Sequence, residues 1–155
     1  MSEVVIRWLL AAIHLLALGI GLGAVWVRAR ALRGSPDESA LRRALTADGV
    51  WGLAALLWLS TGLWRLFGET EKSLDYYLAN WAFHTKMGLF LLIFALEIWP
   101  MVTLIRWRSA RARGNAPDLG RARAISRISY AQAWLVLAMV LAATAMARGL
   151  GSMGG

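Results

Sequence analysis

Residues 4–27 read VVIRWLLAAIHLLALGIGLGAVWV, an apolar run in which only Arg7 and His14 are ionisable. A helix needs roughly 20 such residues to cross the hydrocarbon of a bilayer, and this run exceeds that length. It also exceeds the apolar core of a secretory signal, and only Glu3 precedes it where a basic segment would be needed. We therefore read it as a retained transmembrane helix.

The rest of the chain repeats the pattern. Residues 46–67, 80–105 and 128–147 are three further runs of spanning length. Of the 155 residues 59% are hydrophobic and nine are Trp, above the apolar share of ordinary soluble domains. The expected fold is an all-α integral membrane protein, a single transmembrane domain over 1–155 built as an up-down four-helix bundle with short connections. Small residues should bring the helices together, because lipid supplies no hydrophobic push between them. Candidates are Gly19, Gly21 and Gly23 on the first helix, Gly52, Ala55 and Gly62 on the second, and Ala131, Ala138, Ala142 and Ala145 on the fourth. Pro100 should bend the third helix.

The net charge of +8 comes mostly from arginine. In a soluble chain it would suggest nucleic acid. Here the arginines flank apolar runs, so no nucleic-acid partner is expected and the bilayer is the primary partner. Arg28, Arg30, Arg33, Arg42 and Arg43 surround the turn Gly34–Asp37, while Arg106, Arg108, Arg111, Arg113, Arg121, Arg123 and Arg127 surround the turn at Gly114, Asn115 and Pro117. Short loops rich in Lys and Arg stay on the cytoplasmic side. Both loops should therefore be inside, with the two termini and the acidic connection of Glu69, Glu71, Lys72 and Asp75 outside. Tyr76, Tyr77 and Trp81 should form an outer aromatic belt. The location implied is a bacterial inner membrane, crossed several times.

No cysteine is present, which excludes disulfides, thiolate metal sites and covalently attached haem. The only two histidines, His14 and His84, both fall in membrane segments, where an ionisable group marks a functional site by default. Helical spacing puts His14 on a stripe with Arg7, Ala11, Ala17, Leu18 and Gly21, and His84 on one with Asn80, Trp81, Met87, Gly88 and Leu91. Each lies about 10 Å below an outer anchor, so the two imidazoles are expected at one depth.

Two imidazoles at one level suit a b-type haem, with His14 and His84 as metal ligands. Gly21 and Gly88 would leave room for the ring. Arg7, Arg65, Lys86 and Arg148 stand at the outer end, where propionates need partners; Lys86, about 200° round from His84, should snorkel to the surface. The plainer reading is a buried histidine bonded to a neighbouring helix or to a Ser or Thr. Asp48 should pair with Arg42, Arg43 or an arginine of the other loop, and Glu97 with Gln132. Trp58 is an interface anchor or a ring-stacking wall. Met139 and Met146 are packing groups or substitute iron ligands, and Met87 offers only a thin copper site.

These residues carry a resemblance. Trp8 to Leu16 with His14, then Gly21, Val25 and Trp26, resemble the first helix of HemJ-type protoporphyrinogen IX oxidases and CopD-like membrane proteins. Thr61–Trp64 and Phe83–Met87 resemble the second and third HemJ helices. A family of predicted bacterial membrane proteins of unknown function is closer, through Ala47, Asp48 and Gly52, the approach of Tyr76 and Tyr77 to His84 and Lys86, and the ending Met146–Gly149. The resemblance implies four membrane helices and haem-linked histidines. It does not extend to the Tyr-His pair, the later histidines or the Asn-Glu-Val-Pro segment of HemJ proteins. Three functions follow as expectations: a haem b electron carrier, a HemJ-like oxidase, and a non-catalytic small subunit of a larger membrane complex or homo-oligomer that packs through Gly19 and Gly23.

Overall fold

The computed structural model describes residues 2–68 and 73–150. Glu69, Glu71 and Lys72 of the acidic connection lie outside the described residues. Four long helices are of spanning length and hydropathy: α1 (Glu3–Ala31), α2 (Glu38–Phe67), α4 (Trp81–Ala112) and α5 (Ala122–Ala147), the last preceded by a 3-10 turn at Leu119–Arg121. The short α3 (Leu74–Leu78) leads into α4 and was not expected from composition.

Each long helix overruns its apolar segment at the end where the arginine-rich loops lie. α1 continues through Arg28 and Arg30, α2 begins at Glu38, and α4 extends to Ala112. Arginine is a good helix former, so the edge of an apolar run reports the thickness of the membrane and not the end of the helix. Local chemistry sets the ends. Asp37 caps α2 by accepting from the Ala40 amide at 2.7 Å. Gly34 and Gly114, at φ 92° and 74°, supply the left-handed backbone that reverses the chain in each arginine loop. Asn80 caps α4 through the Ala82 amide at 2.9 Å. Pro100 lies buried inside α4, which continues through it.

The helices run alternately up and down, so the start of α1, the end of α5 and α3 share one end, here the terminal end. The loops at Gly34 and Gly114 share the other, the arginine end. Around the bundle the order is α2, α1, α5, α4, with α1 diagonal to α4; α1 packs closely on α2 and α5, α5 on α4, while α2 and α4 touch little.

Small side chains make the close approaches, on two of the expected glycines, Gly21 and Gly62. At Gly21 an added Cβ would meet the Trp51 ring at 3.3 Å, and at Gly62 it would meet His14 Cε1 at 3.2 Å. Gly19, Gly23 and Gly52 have open space there, and with Ala55 and Ala131 they face outward. Ala17, Ala24, Ala54 and Ala133 are buried instead. The Ser126 hydroxyl donates to the Ala29 carbonyl at 2.7 Å, joining α5 to α1. Leu15, Leu16, Ile20, Leu56, Phe94 and Leu141 are each more than half exposed. A surface this apolar is what a lipid solvent permits and water penalises.

Candidate functional site

Arg28 is fully buried, and every one of its N–H groups has a partner. Nε donates to Ser129 Oγ at 3.0 Å. Nη1 donates to Asp48 Oδ1 and Glu97 Oε1, each at 2.7 Å. Nη2 donates to Glu97 Oε2 at 2.7 Å and Gln132 Oε1 at 2.8 Å. The amide of Gln132 returns to Glu97 Oε2 at 2.7 Å and to the Ile93 carbonyl at 3.3 Å. Arg108 completes the set, reaching Asp48 Oδ2 at 2.7 Å and the Leu45 carbonyl at 2.7 Å. Two cations thus balance two carboxylates, and α1, α2, α4 and α5 are bound together at one point.

Every donor of Arg28 is occupied within the network, which ties the four helices together in register. The Glu97–Gln132 pairing matches the expectation. Asp48 takes one arginine from the other loop, Arg108, but its second is Arg28, which had been assigned to a loop. The stripe through Arg7, His14 and Gly21 repeats every seven residues, and one further step lands on Arg28. That periodicity was the available signal; the apolar boundary at Val27 hid it.

Toward the terminal end the bundle opens into a cavity of about 390 Å³. Its wall includes His14, Trp58, Gly62, Arg65, Lys86 and Met87, with Tyr76 and Tyr77 of α3 at the same opening. A smaller apolar cavity of about 80 Å³ continues toward Glu97, and Leu18, Trp58, Phe90 and Met139 line both.

His14 is 6% exposed and its Nδ1 lies 2.9 Å from Thr61 Oγ1. The Thr61 hydroxyl approaches the Leu57 carbonyl at 2.7 Å and the Trp58 carbonyl at 3.1 Å. Its one proton is committed to those carbonyls, so the oxygen accepts from His14 and Nδ1 carries the imidazole proton. Nε2 of the neutral ring keeps its lone pair, the tautomer that a metal-binding histidine needs. Trp58 stacks on the imidazole, with centroids 5.1 Å apart and planes at 24°. The Lys86 ammonium stands 5.7 Å from the same indole. Gly62 admits the ring edge, since a Cβ there would stand 3.2 Å from His14 Cε1 and press on it.

The other sequence candidates fall elsewhere. His84 is exposed, and its Nε2 donates to the Leu78 carbonyl at 2.9 Å. It has no place in the wall that His14 lines, which corrects the expectation of two imidazoles turned toward each other. Glu97 points inward from α4, and His84, on nearly the opposite face, must then point out. Arg7 pairs with Glu3 at 3.5 Å on the surface. Gly88 is exposed, and Gly21 packs on Trp51 beside the smaller cavity. Lys86, expected at the surface, is half-buried in the cavity wall. Arg65, Lys86 and His14 are therefore the candidates brought together. Among the described residues no group of three or more His, Asp or Glu side chains could hold a metal ion.

No curated protein and no solved structure matches the chain, so the likeness to HemJ- and CopD-type proteins has no counterpart there. One family model does match, over residues 6–151, from the start of α1 to beyond the end of α5. The chain belongs to the family described as predicted membrane protein DUF2214.

Proposed function

We propose that this integral membrane protein binds a flat, anion-bearing ligand in the larger cavity, and that b-type haem is the ligand. The carrying observation is the His14–Thr61 pair, which holds one imidazole in a metal-ligand tautomer inside a membrane bundle. The remaining wall fits the same group. Trp58 gives an aromatic surface, and its Nε1 is buried without a hydrogen-bond partner among the described residues, a donor that a ligand acceptor would satisfy. Arg65 and Lys86 supply positive charge at the cavity. Cations there disfavour a bare metal ion and favour a ligand that brings its own carboxylates.

In this reading His14 holds the iron, Thr61 orients His14, and Arg65 and Lys86 hold the propionates. Haem would supply one-electron chemistry within the membrane. With the arginine loops cytoplasmic, the cavity lies in the outer leaflet. Protein purified in detergent after haem-replete expression should show a Soret band that His14→Ala removes and His84→Ala leaves intact. A colourless wild-type protein would end the proposal.

A second reading rests on Gly19 and Gly23, which point away from the bundle into open space. A helix of another membrane subunit or a second copy of this chain could pack there. Crosslinking from a cysteine introduced at Gly23 in native membranes tests it, and the absence of any adduct would count against it.

A further inference from the structure

The outer face where α1 meets α5 carries three arginines that the Arg28 network does not use. The register of the two helices places them. The Ser126 hydroxyl bonds to the Ala29 carbonyl, and the Trp26 and Tyr130 rings meet edge to face with centroids 5.2 Å apart. On α1, Arg30 lies one turn beyond Trp26 toward the arginine end. On α5, Arg127 and Arg123 lie one and two turns beyond Tyr130 in the same direction. Run antiparallel, that register sets Arg30 level with about residues 125–126 of α5, between Arg123 and Arg127. All three side chains are exposed, and none has an acidic partner among the described residues. α5 contains no Asp or Glu, and α1 has only Glu3, at its far end. Elsewhere at this end an acid is at hand, as where Arg111 pairs with Glu38.

Below the ring pair the same face changes character. Residues 8–27 and 128–147 contain no Asp, Glu, Lys or Arg. Trp26, 40% exposed, and the half-buried Tyr130 stand at that boundary, the depth at which amphipathic rings settle in a bilayer. Cations above, polar-tipped rings at the boundary and an apolar surface beneath match the order of phosphate, glycerol and acyl chain. We propose that this face holds an anionic phospholipid, its phosphate among Arg30, Arg123 and Arg127 and its chains along α1 and α5. Guanidinium forks suit phosphate oxygens, and basic pockets between membrane helices bind anionic headgroups. A free phosphate would use only the upper part of the face. The site lies at the opposite end from the His14 cavity and stands whether or not that cavity holds haem.

The test titrates the full-length protein in detergent with phosphatidylglycerol, and with phosphatidylcholine of the same acyl chains, counting bound lipid by native mass spectrometry. Wild type should bind phosphatidylglycerol the more tightly. Arg30→Gln, Arg123→Gln and Arg127→Gln should each weaken that binding about five-fold, the effect of one arginine near an anionic headgroup. Arg42→Gln combined with Arg43→Gln should leave it unchanged. Absence of a preference for phosphatidylglycerol overturns the site. So does an equal loss in the Arg42→Gln, Arg43→Gln protein, which would mean a diffuse field of charge. Displacement of the lipid by an equal concentration of inorganic phosphate would leave an anion site and overturn the lipid assignment. All the substituted side chains are exposed, so each variant should unfold at the temperature of wild type.

Discussion

Arg28 of α1 and Glu97 of α4 meet across the diagonal of the bundle through two parallel hydrogen bonds of 2.7 Å. A fork of this kind fixes direction as well as distance. Because Asp48, Ser129 and Gln132 accept from the remaining donors, removing the guanidinium leaves Asp48 with Arg108 and Glu97 with the neutral amide of Gln132 alone. Arg28→Ala should lower stability by about 3–5 kcal/mol, the usual consequence of breaking a buried pair. Arg28→Lys should recover only part of that, having three donors for five places. Unfolding in detergent measures both, and a stability equal to wild type in Arg28→Ala would refute the lock.

Arg108 serves the same carboxylate as Arg28 but is partly exposed. Arg108→Ala should therefore destabilise less than Arg28→Ala, since Asp48 keeps its bond to Arg28. The two substitutions should also be non-additive, because they share a partner. A double-mutant cycle by the same unfolding assay reads the coupling.

Thr61→Val keeps the volume near the imidazole and removes the oxygen that orders it. Loss of such a supporting bond commonly weakens metal binding by about 10–100-fold. On the haem reading proposed above, titration of the purified protein with haem should show that drop. Unchanged affinity would mean that the tautomer is held by something other than Thr61.

A methyl group at position 62 would stand 3.2 Å from His14 Cε1. Gly62→Ala should shift the ring by a few tenths of an ångström and, on the haem reading, alter the visible spectrum. Gly19→Ala, which meets nothing within 4 Å, should leave the spectrum unchanged. The contrast between the two spectra is the readout.

The Ala40 amide and the Ser39 hydroxyl hold the Asp37 carboxyl below its ordinary value of 3.8. A carboxylate whose pKa is depressed by folding stabilises the folded chain above the unfolded value and loses that contribution as pH falls through the folded one. The start of α2 should thus loosen only in acid. Hydrogen exchange at the Ala40 amide should rise below pH 3.8, after correction for intrinsic rates, whereas in Asp37→Ala it should already be fast at neutral pH.

Length and hydropathy alone determined four spanning helices, their alternation and the placing of all loop arginines at one end, because each of these depends on local chemistry and on the thickness of the membrane. Depth was legible only within one helix: the count from Tyr77 to His84 crosses the break at Ala79 and Asn80 between α3 and α4. What only the tertiary structure decided was the rotation of each helix about its axis. Near-continuous apolar segments carry little periodicity to mark an inner face, and lipid rewards Leu on the outside as readily as packing rewards it within. Rotation was set instead by pairing of distant groups, Arg28 with Asp48 and Glu97 above all. Turning Glu97 inward turned His84 out and brought Lys86 and Met87 to the cavity.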